Sequence, residues 1–147
     1  MDDCLFCKIV AGEIPGYKIY EDEKFVAFLD INPVNKGHIL VIPKEHSKNI
    51  LEMEDTLIEE MAVITKKLAK YIKEKLNADG INIISNIDAT AGQVIFHTHI
   101  HIIPRFKNDG FKHWVSSEYK ENEAEKIQKI LKLSWKSLYK KNSIGSP

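Results

Sequence analysis

Three histidines occupy alternate positions in Phe96-His97-Thr98-His99-Ile100-His101-Ile102-Ile103-Pro104. Histidine changes charge near neutral pH, and its neutral ring can act as a base, a nucleophile or a metal ligand. Alternate side chains of a β-strand share a face, with successive members about 6.5–7 Å apart. The run therefore predicts a row of three imidazoles on one face of a strand, with Thr98, Ile100 and Ile102 on the other. Three buried titratable rings cost stability unless they are paired or ligated, so the row reads as chemistry rather than core filling. Two chemistries fit the bare spacing. The rings could share one catalytic metal with an open site for water, or one ring could attack phosphorus and hold a phosphoryl group as a covalent phosphoramidate. The residues that follow, Pro104 and Arg105, add no carboxylate ligand.

Two further clusters have the composition of sites. Ser85-Asn86-Ile87-Asp88-Ala89-Thr90-Ala91-Gly92-Gln93 is a small, polar stretch between apolar segments. Gly92 allows backbone amides to approach an anion closely, and Asn86 and Gln93 are placed to touch a substrate. Cys4-Leu5-Phe6-Cys7 supplies two of the four ligands a structural zinc needs, with His46 and one histidine of the row as candidates for the others. His113 and Trp135 belong to no pattern.

These residues need elements to hold them. Tyr17 to Tyr20 and Lys24 to Leu29 read as a hairpin, His38 to Ile42 as an apolar strand stopped by Pro43, Ile81 to Ser85 as another, and Val94 to Ile103 as the longest, stopped by Pro104. Leu57, Met61, Ile64, Leu68, Ile72 and Leu76 recur at helical steps, with Gly80 as a stop. Ile127, Ile130, Leu131, Leu133 and Leu138 predict a second helix over about 121–141, and 142–147 reads as a disordered tail. Hairpin strands, a long helix and further strands point to one mainly antiparallel α+β domain over 1–141.

Composition narrows the function classes. The 147 residues carry 21 basic and 21 acidic side chains, a formal charge of zero that argues against a nucleic-acid-binding protein. The N-terminus has no apolar leader, and apolar runs such as Ile39-Leu40-Val41-Ile42 are far short of the roughly 20 residues that span a bilayer. The expectation is a cytoplasmic protein that binds neither nucleic acid nor membrane.

The stretch His97 to Ile103 resembles the signature of the histidine triad (HIT) family. Cys4 to Ile9, Gly12 to Pro15, Phe28 to Pro33, Gly37 to His46 and Ala91 to Gln93 extend the resemblance, which is to the Hint-like branch with its bacterial members, over about residues 4–106. The resemblance implies a half-barrel of about five antiparallel strands in a homodimer that binds a small nucleotide, with one long helix and a C-terminal helix. It implies hydrolysis at the α-phosphorus of nucleoside 5′-phosphoramidates or related purine nucleotides. Dinucleoside-polyphosphate hydrolysis, or nucleotide binding with low turnover, are the alternative activities. His99 would attack phosphorus, with His97, His101 and His38 clustered about it. Asp30 would hold the ribose hydroxyls, Ile31 the base, and Asn86, Gly92 and Gln93 the phosphate. Cys4, Cys7, His46 and His97 would ligate zinc. Members that pass the nucleotide to a second phosphate carry glutamine at the third position of the triad, so His101 implies hydrolysis. The chain departs from Hint-type members at Val94, where they carry serine.

Overall fold

The computed structural model describes residues 3–112 and 114–134. Short segments rich in β-branched and aromatic residues form β1 (Lys18–Glu21), β2 (Phe25–Leu29), β3 (Ile39–Pro43), β4 (Gly80–Ile84) and β5 (Ile100–Arg105). They build one open sheet, ordered β1-β2-β3-β5-β4, with every neighbouring pair antiparallel. The helices are α1 (Leu5–Ala11), α2 (Asp55–Lys75) and α3 (Glu123–Leu131), which makes the fold α+β. The chain divides into two compact units: Met1–Gly110 holds the sheet with α1 and α2, and Phe111–Pro147 holds α3.

Alternation along the strands sends side chains to two different cores. Phe25, Ala27, Ile39, Val41, Ile100 and Ile102 pack with Met61, Ala69 and Ile72 of α2. Val26, Phe28, Leu40 and Ile42 pack with Phe6 and Ile9 of α1. Both faces of the central strands are therefore covered, which explains why they read as unbroken apolar runs.

Several boundaries differ from those the sequence predicts, each for a local reason. β5 covers Ile100–Arg105 rather than Val94 to Ile103, so His97 and His99 lie ahead of the strand. Pairing with β3 ends at Val41↔Ile100, and the chain before it bonds elsewhere, with the Thr98 N–H donating to the Ser47 carbonyl at 2.7 Å. Pro104 lies within β5, past Ile102, the last residue paired to β3. α2 ends at Lys75, and the chain turns through Asn77 in the left-handed region (φ 50°), so Gly80 opens β4 instead of stopping the helix. α1 is a helix that sequence periodicity did not bring out, closed by Gly12 at φ 79°. α3 ends at Leu131, and Lys132 to Ser134 are not helical. The expectations for His113, Trp135, Leu138 and the tail 142–147 lie outside the described residues.

Ile102 is fully buried between β3 and β4, whereas Leu51 is 76% exposed. Ile102→Ala should cost roughly 2–5 kcal/mol in urea unfolding, against about 0.5 kcal/mol or less for Leu51→Ala. Equal losses would contradict this core.

Candidate active site

His101 stands on β5 opposite Leu40 of β3, and so on the α1 face of the sheet. His38 precedes Leu40 by two residues and joins the same face from the start of β3. Its Nδ1 accepts the Val34 N–H at 3.2 Å, which puts the His38 proton on Nε2. That Nε2–H donates to His101 Nδ1 at 2.9 Å, so the His101 proton is on Nε2. The Asp30 carboxylate lies 3.6 Å from His38 Nδ1 and accepts the Asn32 N–H at 2.8 Å. Hydrogen-bond partners thus assign each tautomer.

The three rings keep to the α1 face, but they are not evenly spaced. The rings of His99 and His101 are neighbours, with centroids 4.9 Å apart, while the His97 ring pairs with His46 at 5.0 Å. Phe6 of α1 stands edge-on to both His97 and His99. His99 Nδ1 donates to the His97 carbonyl at 2.7 Å, which leaves the unshared pair on Nε2. The Ser85 hydroxyl donates to the His99 carbonyl at 3.0 Å and fixes that residue from the β4 side.

His97 uses its ring differently. Nε2 donates to the Pro43 carbonyl at 2.9 Å, and Nδ1 faces Cys4 Sγ and Cys7 Sγ, each at 3.5 Å. His46 Nδ1 lies 3.2 Å from His97 Nδ1 and 3.4 Å from Cys7 Sγ. Tetrahedral zinc, with Zn–S about 2.3 Å and Zn–N about 2.0–2.1 Å, has ligand-to-ligand edges of about 3.3–3.8 Å. Four of the contacts are close to that spacing, all four ligand atoms lie within 4.8 Å of one another, and the bond to Pro43 directs a lone pair of His97 inward as a ligand requires. Cys4, Cys7, His46 and His97 therefore fit the metal. Burial, followed by the neighbouring Cys4 thiol, pushes the Cys7 thiol up from its ordinary value.

A cavity of about 380 Å³ opens onto His99 and His101. Asp30, Ile31, Asn86, Gly92 and Val94 also line it, with Ile31 and Val94 largely exposed at its mouth. Phe6, Ile9, Phe28 and Leu40 give it an apolar wall, the combination of apolar surface and few polar groups that suits a small organic ligand. The rings of His97 and His38 are not among the lining groups. Gln93 is not either, contrary to expectation: it is buried, accepts the Asp88 N–H at 2.9 Å, and donates to the Lys48 and Ile95 carbonyls at 2.6 and 3.1 Å. A buried carboxamide satisfies itself on nearby backbone, so Gln93 pins the loop.

Burial is the main force on the histidine charges. It pulls His97 and His101 down to about 4 and holds His38 and His99 below their ordinary value. His99 and His38 add like-charge repulsion at His101, while the His97 carbonyl partly opposes the shift at His99. At neutral pH these four rings are uncharged, and His99 Nε2 keeps its unshared pair.

A neutral ring with an unshared pair, lining a cavity beside a second ring that offers an N–H, can attack an electrophile such as phosphorus. The family model for the HIT domain matches residues 11–108. The chain belongs to the HIT family. This HIT protein is 54% identical over 114 residues to an uncharacterized HIT-like protein of Borreliella burgdorferi, covering 76% of this chain and 81% of the other. It is 44% identical over 108 residues to an adenylylsulfatase of Arabidopsis thaliana, covering 74% of this chain and 55% of that one. It is 39% identical over 106 residues to an adenosine 5′-monophosphoramidase of Candida albicans, covering 69% and 70%. Among solved structures, SMU.412c of Streptococcus mutans superimposes with a TM-score of 0.80 at 47% identity, covering 90% of this chain and 87% of that one. A zinc-bound histidine triad protein of Mycobacterium smegmatis does so with a TM-score of 0.72 at 38% identity, covering 80% and 85%. No helix among the described residues is long and apolar enough to cross a membrane.

His101, faced by His38, His99 and Asp30, takes up its proton at its ordinary 6.5 when unfolded but only near about 4 when folded. Between these values the unfolded chain holds more protons, so stability falls as pH is lowered through that window. Melting temperature should therefore decline below pH 6.5, and less steeply in His101→Gln. Identical declines in both proteins would contradict the assignment.

Proposed function

We propose that this HIT protein hydrolyses nucleoside 5′-phosphoramidates or related purine nucleotides at the α-phosphorus, with His99 as nucleophile. The observation that supports this most is the 2.7 Å bond from His99 Nδ1 to the His97 carbonyl, which reserves Nε2 for the substrate. Asp30 accepts the ribose hydroxyls, Ile31 lies against the base, and Asn86 with the Gly92 backbone takes phosphate oxygens. His99 Nε2 forms a bond to phosphorus as the bond to the leaving group breaks, the electron pair departing with that group, which takes its proton from water of the open cavity when it is an amine. The His101 Nε2–H donates to a non-bridging oxygen as charge builds there. The nucleotidylated ring is cationic, and its Nδ1–H stays bonded to the His97 carbonyl. Water then attacks phosphorus, the phosphorus–nitrogen pair returns to Nε2, and the proton from water passes to solvent. Val94 at the mouth has no proton to give, so strongly basic amines depart slowly.

Cys4, Cys7, His46 and His97 hold zinc in this reading, and the metal supplies a fixed cross-link between α1, the turn after β3 and the triad segment. The chain acts as a homodimer, a reading supported by the edge of β4, which no strand among the described residues pairs and which exposes Ile83, and by exposed Val63 and Tyr71 on α2. The zero net charge supports a small nucleotide rather than nucleic acid as its partner.

With adenosine 5′-phosphoramidate as substrate, His99→Ala should lower kcat by at least about 1,000-fold, and a variant as fast as the parent chain would refute the role. Elemental analysis should find about one zinc per chain, lost in the Cys4→Ser, Cys7→Ser double variant together with a lower melting temperature. Zinc content unchanged by the double substitution would overturn the ligand set.

A further inference from the structure

The contacts that hold His99 lead away from the cavity and into the metal-ligand cluster. His97 carries both ends of that link, its ring among the ligand atoms and its carbonyl on His99 Nδ1 at 2.7 Å. Between the two histidines lies Thr98, fully buried and bound three ways to Ser47. The Thr98 N–H donates to the Ser47 carbonyl at 2.7 Å, and the Thr98 hydroxyl donates to the same oxygen at 3.2 Å. With the Thr98 proton so used, the Ser47 hydroxyl donates to Thr98 Oγ1 at 2.7 Å. Ser47 in turn follows His46, whose Nδ1 is 3.2 Å from His97 Nδ1. Residues 46–47 and 97–98 therefore lie side by side, closed at one end by the Ser47–Thr98 clasp and at the other by two ligand atoms.

We propose that Ser47 and Thr98 are positioning residues which, together with a zinc ion on His46 and His97, hold the His97 carbonyl where it selects the tautomer of His99. A neutral imidazole carries one proton for two nitrogens. While the carbonyl holds that proton on Nδ1, Nε2 is a nucleophile. When the carbonyl shifts, the proton can occupy Nε2, and the ring then offers the cavity a donor instead of an electron pair. Metal loading at one end of residues 97–99 thus reaches the reacting atom at the other through a single backbone oxygen. The inference rests on His99 as nucleophile, yet its effect is readable without substrate.

Nitrogen-15 NMR of the imidazoles distinguishes bare from protonated ring nitrogens in the full-length protein. Zinc-loaded parent protein should show His99 as the Nδ1–H form alone. Thr98→Val at full zinc content should show mixed tautomers and about a 10-fold lower kcat at unchanged KM, and Thr98→Ser should restore both. Ser47→Ala is the milder variant, removing one hydroxyl of the clasp, and should shift the tautomer in the same direction. Chelation of the parent protein under reducing conditions should mix the tautomers too. A zinc-replete Thr98→Val or Ser47→Ala protein that keeps the pure Nδ1–H form overturns the proposal, as does a metal-stripped parent protein that keeps it. If Thr98→Val does not fold, Ser47→Ala and chelation decide in the same terms. A protein that shows these tautomer shifts but never turns over a nucleotide would refute the proposed function and leave the positioning intact.

Discussion

The bond from His99 Nδ1 to the carbonyl of His97 constrains everything around it. In a regular sheet that carbonyl would be committed to a neighbouring strand. It is free to hold an imidazole because the chain leaves the ladder before Ile100. The irregular stretch ahead of β5 is therefore a requirement of the site. Three sets of contacts hold it in place: Gln93 on the Lys48 and Ile95 carbonyls, Thr98 on Ser47, and the His97 ring on Pro43.

Burying imidazoles costs free energy unless each polar nitrogen finds a partner. Here the partners also divide the labour. His38 is satisfied by Val34 and His101, and His97 by Pro43 and the ligand cluster. His99 and His101 both line the cavity, one with an unshared pair on Nε2 and the other with an Nε2–H. The low dielectric that keeps the rings neutral also strengthens whatever these two atoms bind. Two separate cores make this possible: α2 covers one face of the sheet and sets its stability, while α1 covers the other and brings both Phe6 and the cysteines to the histidines.

Much of this was legible from residue type and spacing. Apolar runs located β2, β3 and β4 to within one or two residues, and a long helical stripe located α2, because burial imposes those patterns strongly. Alternation placed Ile100 and Ile102 opposite His101. It misled for the start of β5, because period two reads the same in a strand and in an extended segment whose hydrogen bonds go to a loop. α1 went unseen because seven residues are too few for a clear helical period, although Gly12 and the spacing of Phe6, Ile9 and Val10 mark it in retrospect. The residue type of Gln93 suits a phosphate. Only the fold shows its carboxamide to be consumed by backbone. Ser47 and Thr98 carried no signal, since two common hydroxyl residues gain meaning only when the chain brings them together.

The central claim is that His99 bonds to phosphorus, and the mass of intact protein quenched in acid-free denaturant during turnover tests it most directly. The account predicts a fraction of chains heavier by one nucleotidyl group, with the added mass on the peptide that contains His99. Steady turnover with no such species, or with the group on another residue, would contradict it.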